Sequence, residues 1–321
     1  MNKLIGILFT AFVVGAVVFA FSPRPDPQMP ATRVQIGHLL MLDVHSVGDR
    51  LVTVGERGHV FVSDDRGANW RQVPSSTTAT LTAVSFVDEA RGVAVGHDAV
   101  IIRTEDGGEN WILVQTAPED EEPLLAVRFD RRGHGFAVGA YGRFLESHDG
   151  GLSWEERDIS ASDLHLNALA EVDGVMLIAG EAGTLLRSDD GGATWNEIDS
   201  PYEGSFFGLL ATPDGGLLAF GMRGHVFRSD DGGYDWSEID TGTHSAIFGG
   251  HIVSPELVVL AGQNGLLLAS GDQGRSFVTI DADTSRTFAA VAPGLGPGEV
   301  VLAGEEGVLR VDVAIPAGGR S

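Results

Sequence analysis

The chain has no cysteine, which excludes a disulfide framework, a thiolate metal site and a lipidated N-terminal Cys, and leaves its redox compartment open. Positive charge is also scarce: Lys3 is the only lysine, and 21 Lys+Arg face 45 Asp+Glu, for a formal net charge of −24. A surface this acidic repels polyanions and excludes nucleic acid as a partner. The balance fits a salt-rich habitat or a codon bias equally. No 3.6-residue periodicity persists, and Gly and β-branched residues punctuate the turns, so a solenoid of helix pairs is excluded.

One long hydrophobic run is present. After the positive start Met1-Asn2-Lys3, residues Leu4 to Phe21 form an uncharged apolar stretch of 18 residues, the length of a signal-peptide core or a minimal membrane span. Val18-Phe19-Ala20 offers small-residue cleavage geometry, while the length suits a retained anchor. Either way residues 1–21 direct export, to the periplasm or the outer face of a cytoplasmic or thylakoid membrane. Residues 22–30, rich in Pro, read as an extended tether, and residues 314–321 as a flexible tail.

The remainder, residues 31–313, is repetitive. Six copies of Ser/Thr-x-Asp-x-Gly-x-x-aromatic begin at Ser63, Thr104, Ser147, Ser188, Ser229 and Ser270, spaced by 41, 43, 41, 41 and 41 residues, and all five tryptophans fall at the last motif position. Before each copy an apolar run ends in a Gly-x-x-Gly-type turn, from Gly55-Glu-Arg-Gly58 to Gly262-Gln-Asn-Gly265, and a seventh turn stands at Gly304-Glu-Glu-Gly307. Four short strands per unit of about 40 residues is the size of a propeller blade. The sequence therefore predicts an all-β, seven-bladed propeller of four-stranded antiparallel blades, with inner strands starting near Leu40, Leu81, Leu124, His165, Phe206, Ile247 and Phe288. The seventh unit ends near Val313, too early for an outermost strand. Ala31 to Ile36 is expected to supply it and close the ring.

The repeated motifs are Asp-boxes. Asp65, Asp106, Asp149, Asp190, Asp231 and Asp272 can accept backbone N–H bonds inside the turn, and the Ser or Thr hydroxyl can close the same network. Trp70, Trp111, Trp154, Trp195, Trp236 and Phe277 are expected to bury their rings against the blade. Six copies around a ring mark a framework rather than one catalytic centre, so no catalytic residue is assigned and the chain reads as a non-enzyme. No cofactor is expected. His59, His97, His165, His225, His244 and His251 lack two-ligand spacing, so no metal site is expected either.

Asp-boxes joined to Gly-x-x-Gly turns at fixed offset resemble the photosystem II assembly and stability factor family of propellers, over about residues 40 to 313. That resemblance implies a photosynthesis-related protein-binding propeller that helps assemble a membrane complex, with an integral membrane subunit as partner; the N-terminal segment adds membrane association if it stays uncleaved. Asp-boxes also occur in sialidases, which leaves a glycosidase or a carbohydrate-binding propeller as the alternative. Its signature is missing, since the one Arg-x-Pro-like string, Pro23-Arg24-Pro25, lies in the tether. Function is expected where the blades differ, on the Gly-x-x-Gly end. Arg57, His97, Tyr141, Arg143, Arg223 and Asn264 are the partner-binding candidates there, Arg and Tyr being frequent carriers of interface energy.

Overall fold

The computed structural model describes residues 2–21, 34–119, 121–130, 132–160 and 162–313. The tether and the tail lie outside the described residues. The N-terminal unit contains helix α1, Asn2–Phe21, in which the described side chains, Ile7 and Phe12 among them, are exposed. Among the described residues no helix is long and apolar enough to cross a membrane.

The second unit is a seven-bladed propeller. Six sheets have four antiparallel strands in simple meander order, and the seventh has three among the described residues. The innermost strands are Met41–Val47, Leu81–Phe86, Leu124–Phe129, Leu166–Val172, Phe206–Ala211, Ile247–Ser254 and Phe288–Pro293, each within one residue of its expected start. Second strands are apolar along almost their whole length, such as Leu257–Gly262, because both faces are covered by neighbouring blades. The core is therefore a series of layers between blades. Val52 and Val62 of blade 1, for example, pack with Leu81, Ala94, Ile102 and Trp111 of blade 2.

The ring is closed. The second Gly of each Asp turn lies against the second strand of the preceding blade, and Gly67 of blade 1 meets blade 7, where a Cβ would come within 2.5 Å of Val301 Cγ2. Blade 7 also uses the N-terminal segment. In other blades the last Gly of the Gly-x-x-Gly turn sits under the carbonyl of the linker that follows the outermost strand, such as Thr77 for Gly58 and Thr284 for Gly265; Gly307 meets Ile36 O instead.

Of the expected closing strand, Ala31 to Ile36, the described residues form no strand. Ile36 opens a 3₁₀ turn, Ile36–His38, whose N–H groups bond within the turn (His38 N–H to Gln35 O, 3.1 Å). Ile36, with its carbonyl over Gly307, holds the place of a linker residue. Ala31 to Arg33 lie outside the described residues.

Candidate protein-binding face

The Gly-x-x-Gly turns gather at one end of the propeller because each is tied to the start of its own inner strand. The first residue between the glycines donates its N–H to the carbonyl just before that strand, as in Glu56 N–H to Leu40 O at 3.0 Å, Met222 N–H to Ser205 O at 3.0 Å and Glu305 N–H to Thr287 O at 2.9 Å. Glutamates at this first position are also used structurally: Glu56 Oε1 accepts Leu40 N–H at 3.1 Å, and Glu305 Oε2 accepts Thr287 N–H at 2.9 Å.

The second position behaves differently. Arg57, Asp98, Tyr141, Ala182, Arg223, Asn264 and Glu306 all have φ between 51° and 58°. This is the left-handed region, which costs a non-Gly residue about 1–2 kcal/mol, so every blade holds its second-position side chain in the same strained frame. Most of these side chains are exposed, and Tyr141 is 60% exposed.

The mouth of the central channel lies at the same end. Each inner strand has a register shift just after its first residue, which leaves one bulged residue per blade and re-aims its side chain. These residues include Leu42, Leu125, Phe207 and Phe248, with the two Phe rings 5.4 Å apart. They give the mouth apolar, half-buried surface. Polar bulged residues bind the next blade instead: Thr82 Oγ1 donates to Leu124 O at 2.7 Å, and Asn167 Nδ2 to Phe206 O at 2.8 Å.

Below the mouth, a channel of about 320 Å³ is lined by Asp43, His45, Arg128 and His251. Asp43 stands where the other blades have Ala or Gly (Ala83, Ala126, Ala168, Gly208, Gly249, Ala290). Burial raises its pKa to about 6 against the lowering effect of N–H bonds from Val84 and Val44. Burial, with the charges of His251 and Arg128, lowers His45 to about 4. Burial also lowers His251 and Arg128, the latter opposed by Glu171.

Of the sequence candidates, Arg57, Tyr141, Arg223 and Asn264 occupy the left-handed ring, and His97 is exposed beside it. Arg57 and Arg223 form no ion pair among the described residues, which leaves two free cations on an acidic molecule. Arg143 is held in the scaffold: its guanidinium reaches Glu122 at 3.2 Å and Glu156 at 3.3 Å, with its side chain 8% exposed. Sequence reasoning missed the bulged apolar residues and the channel's titratable groups. The signal available was the lone Asp in a column of Ala and Gly.

The opposite end carries the Asp turns. Ser63 Oγ donates to Asp65 Oδ1 at 2.8 Å and accepts Gly67 N–H at 2.7 Å, while Asp65 Oδ1 also accepts Asn69 N–H at 2.8 Å. The pattern recurs in the other five turns. Hydrogen bonds from Asn69 and Ser63 lower Asp65 to about 2, and those from Thr194 and Ser188 do the same for Asp190. These carboxylates are ionised and committed to the turn. The aromatic rings are less buried than expected. Only Trp111 is fully buried; Trp70, Trp154, Trp195, Trp236 and Phe277 are half-buried, because the outermost strands leave one face of each ring open.

Arginines then join the turns between blades. Arg50 Nη1 reaches Gly107 O at 2.9 Å, Arg103 Nε reaches Gly150 O at 3.1 Å and Arg157 Nη1 reaches Gly192 O at 3.2 Å, while Arg187 and Arg228 reach Gly232 O and Gln273 O. This end also brings together His134, Glu146 and His148, whose ligand atoms all lie within 4.8 Å of one another. The six histidines weighed from sequence did not include His134 or His148.

Comparisons with known proteins agree with this architecture. Residues 114–205 match the family model described as photosynthesis system II assembly factor YCF48. A sequence search of curated proteins found no match. The solved structure of YCF48 bound to D1 peptide is 20% identical, covers 91% of this chain and 97% of its own, and superposes with a TM-score of 0.71. YCF48 from Cyanidioschyzon merolae is 16% identical, with 88% and 96% covered and a TM-score of 0.68. A GH74 xyloglucanase from Xanthomonas campestris is 12% identical, with 88% of this chain and 53% of its own covered and a TM-score of 0.71; at that identity it shares the fold alone. Blade count and turn chemistry make this chain a seven-bladed β-propeller, and over residues 114–205, in blades 3 and 4, it is similar to the YCF48 assembly-factor family.

Proposed function

We propose that this chain is an exported, non-catalytic propeller that binds a subunit of a membrane protein complex through its Gly-x-x-Gly face, as an assembly or stability factor. The observation that carries this reading is the left-handed ring: identical backbone frames present different, exposed side chains around an apolar channel mouth. Arg57, Tyr141 and Arg223 there have the composition of interface anchors, and Phe207 and Phe248 offer a surface for an apolar side chain. The similarity to a YCF48 that was solved bound to a D1 peptide favours a segment of a membrane subunit as the ligand class. Export is supported by the charge-free run Leu4 to Phe21.

The experiment is crosslinking in native membranes followed by mass spectrometry, with a fluorescence-anisotropy titration of a D1 peptide alongside. Recovery of an integral membrane protein through crosslinks at Arg57, Tyr141 or Arg223 is expected. Crosslinks confined to the Asp-turn end, or recovery of no membrane protein, would reject the reading.

A further inference from the structure

Blade 3 breaks the repeat at three positions, and the three side chains meet. In blades 2, 4 and 5 the third residue of the third strand is Arg103, Arg187 or Arg228, and each pairs with the acid two residues later, Glu105, Asp189 or Asp230. In blade 3 these positions are Glu146 and His148, so the acid has moved into the strand and an imidazole stands outside it. Simple reversal of the pair would need one cation. Instead a second imidazole, His134, arrives from the turn ahead of the second strand.

The geometry is that of a ligand set. His134 Nε2 lies 2.6 Å from Glu146 Oε1, and His148 Nε2 lies 3.8 Å from the same oxygen. The two rings stack with centroids 4.3 Å apart and planes 26° apart. His134 Nε2 is shielded from solvent and faces Glu146 Oε1 without the alignment of a hydrogen bond, so its only polar neighbour is the carboxylate of the cluster. The other carboxylate oxygen, Oε2, is held by Arg157, which also bonds Gly192 O and Ala193 O. That support fixes the carboxylate and turns Oε1 toward the two imidazoles.

We propose that His134, Glu146 and His148 bind a divalent transition-metal ion of the Zn²⁺ class. Two imidazole nitrogens and one carboxylate oxygen are a ligand set of that class, and they leave a fourth position open. Two ligand atoms at about 2.1 Å from a tetrahedral ion stand about 3.4 Å apart, a spacing that small side-chain rotations here can reach. The site lies on the Asp-turn end, apart from the proposed binding face, and His148, with its side chain 66% exposed, makes it accessible to metal from solution.

The test is calorimetric titration of tag-free, chelator-treated protein with Zn²⁺, with Co²⁺ absorption as a second readout of coordination. One ion per chain is expected in the unaltered protein, and His148→Ala and His134→Ala should each weaken binding by at least about tenfold. The exposed position of His148 keeps its variant folded, which melting curves will verify. The proposal is overturned if the unaltered protein takes up no stoichiometric Zn²⁺, or if His148→Ala binds Zn²⁺ as tightly as the unaltered protein does.

Discussion

The carboxylate of Asp43 in blade 1 accepts the backbone N–H of Val84 in blade 2 at 2.8 Å, inside the channel. Its pKa is raised from 3.8 to about 6, so between those values the folded state holds a proton that the unfolded chain has released. Stability from this group is full below about pH 4 and falls as pH rises through 6, by about 3 kcal/mol. His45 runs the other way. Its pKa is lowered from 6.5 to about 4, so the unfolded chain takes up the extra proton and stability falls by a similar amount as pH drops through that window. In the wild-type protein the two effects oppose each other. Asp43→Asn should therefore gain stability relative to wild type between pH 4 and pH 7 in thermal melts, whatever constant offset the lost hydrogen bond adds. A difference that does not change with pH would mean that Asp43 titrates normally.

Buried and exposed arginines at the Asp-turn end should differ sharply. The Arg103 side chain is 3% exposed, and its bond to Gly150 O joins blades 2 and 3. Arg103→Ala should cost about 2 kcal/mol or more, from the lost charge-assisted bond and the lost packing of its stem. Arg66 pairs with Asp49 at the surface, with side chains 39% and 81% exposed, and Arg66→Ala should cost less than about 1 kcal/mol. Urea midpoints will rank the two; equal shifts would deny Arg103 its role between blades.

Ring closure can be tested at Gly307. Its φ is +87°, and a Cβ would stand 2.2 Å from Ile36 O, whereas Gly191 has a φ of +72° with nothing within 4 Å. Gly191→Ala should cost about 1 kcal/mol from backbone strain alone, and Gly307→Ala clearly more. Deleting residues 31–37 should lower the melting temperature. In that background Gly307→Ala should cost no more than Gly191→Ala, since the clashing carbonyl is gone. A Gly307→Ala penalty that survives the deletion would separate Gly307 from closure.

What the sequence reveals follows the range of each interaction. The Asp turns were legible because Ser63, Asp65, Gly67 and Asn69 complete their network within seven residues, and the strand starts because their apolar runs recur with the blade. The arginine links were not legible: Arg103 and Gly150 are 47 residues apart, and no local pattern marks the pair. Arg143 looked available in sequence because Glu122 and Glu156 reach it from two other segments. The bulged Leu42 and Phe248 sit in ordinary apolar runs, and only the register shift aims them at the channel mouth. His134 and His148 escaped notice because they lie in different turns and Glu146 joins them only in the folded blade.

The left-handed ring makes stability and binding separable. Tyr141, Arg57 and Arg223 have φ values of 54°, 55° and 58°, which a glycine adopts without the Cβ penalty. Replacing each by Gly relieves about 1 kcal/mol of strain, offset in part by the greater freedom of Gly in the unfolded chain. The melting temperature should therefore hold or rise. A scaffold without a partner at this face would show only that effect. If these side chains anchor a bound segment, the same Gly variants lose affinity for it in the anisotropy titration, with Arg57→Gly and Arg223→Gly losing most against an acidic ligand, because they remove the two free cations of the rim. Parallel losses in melting temperature and affinity would point to a folding defect instead, and unchanged affinity in all three variants would move the binding site off this face.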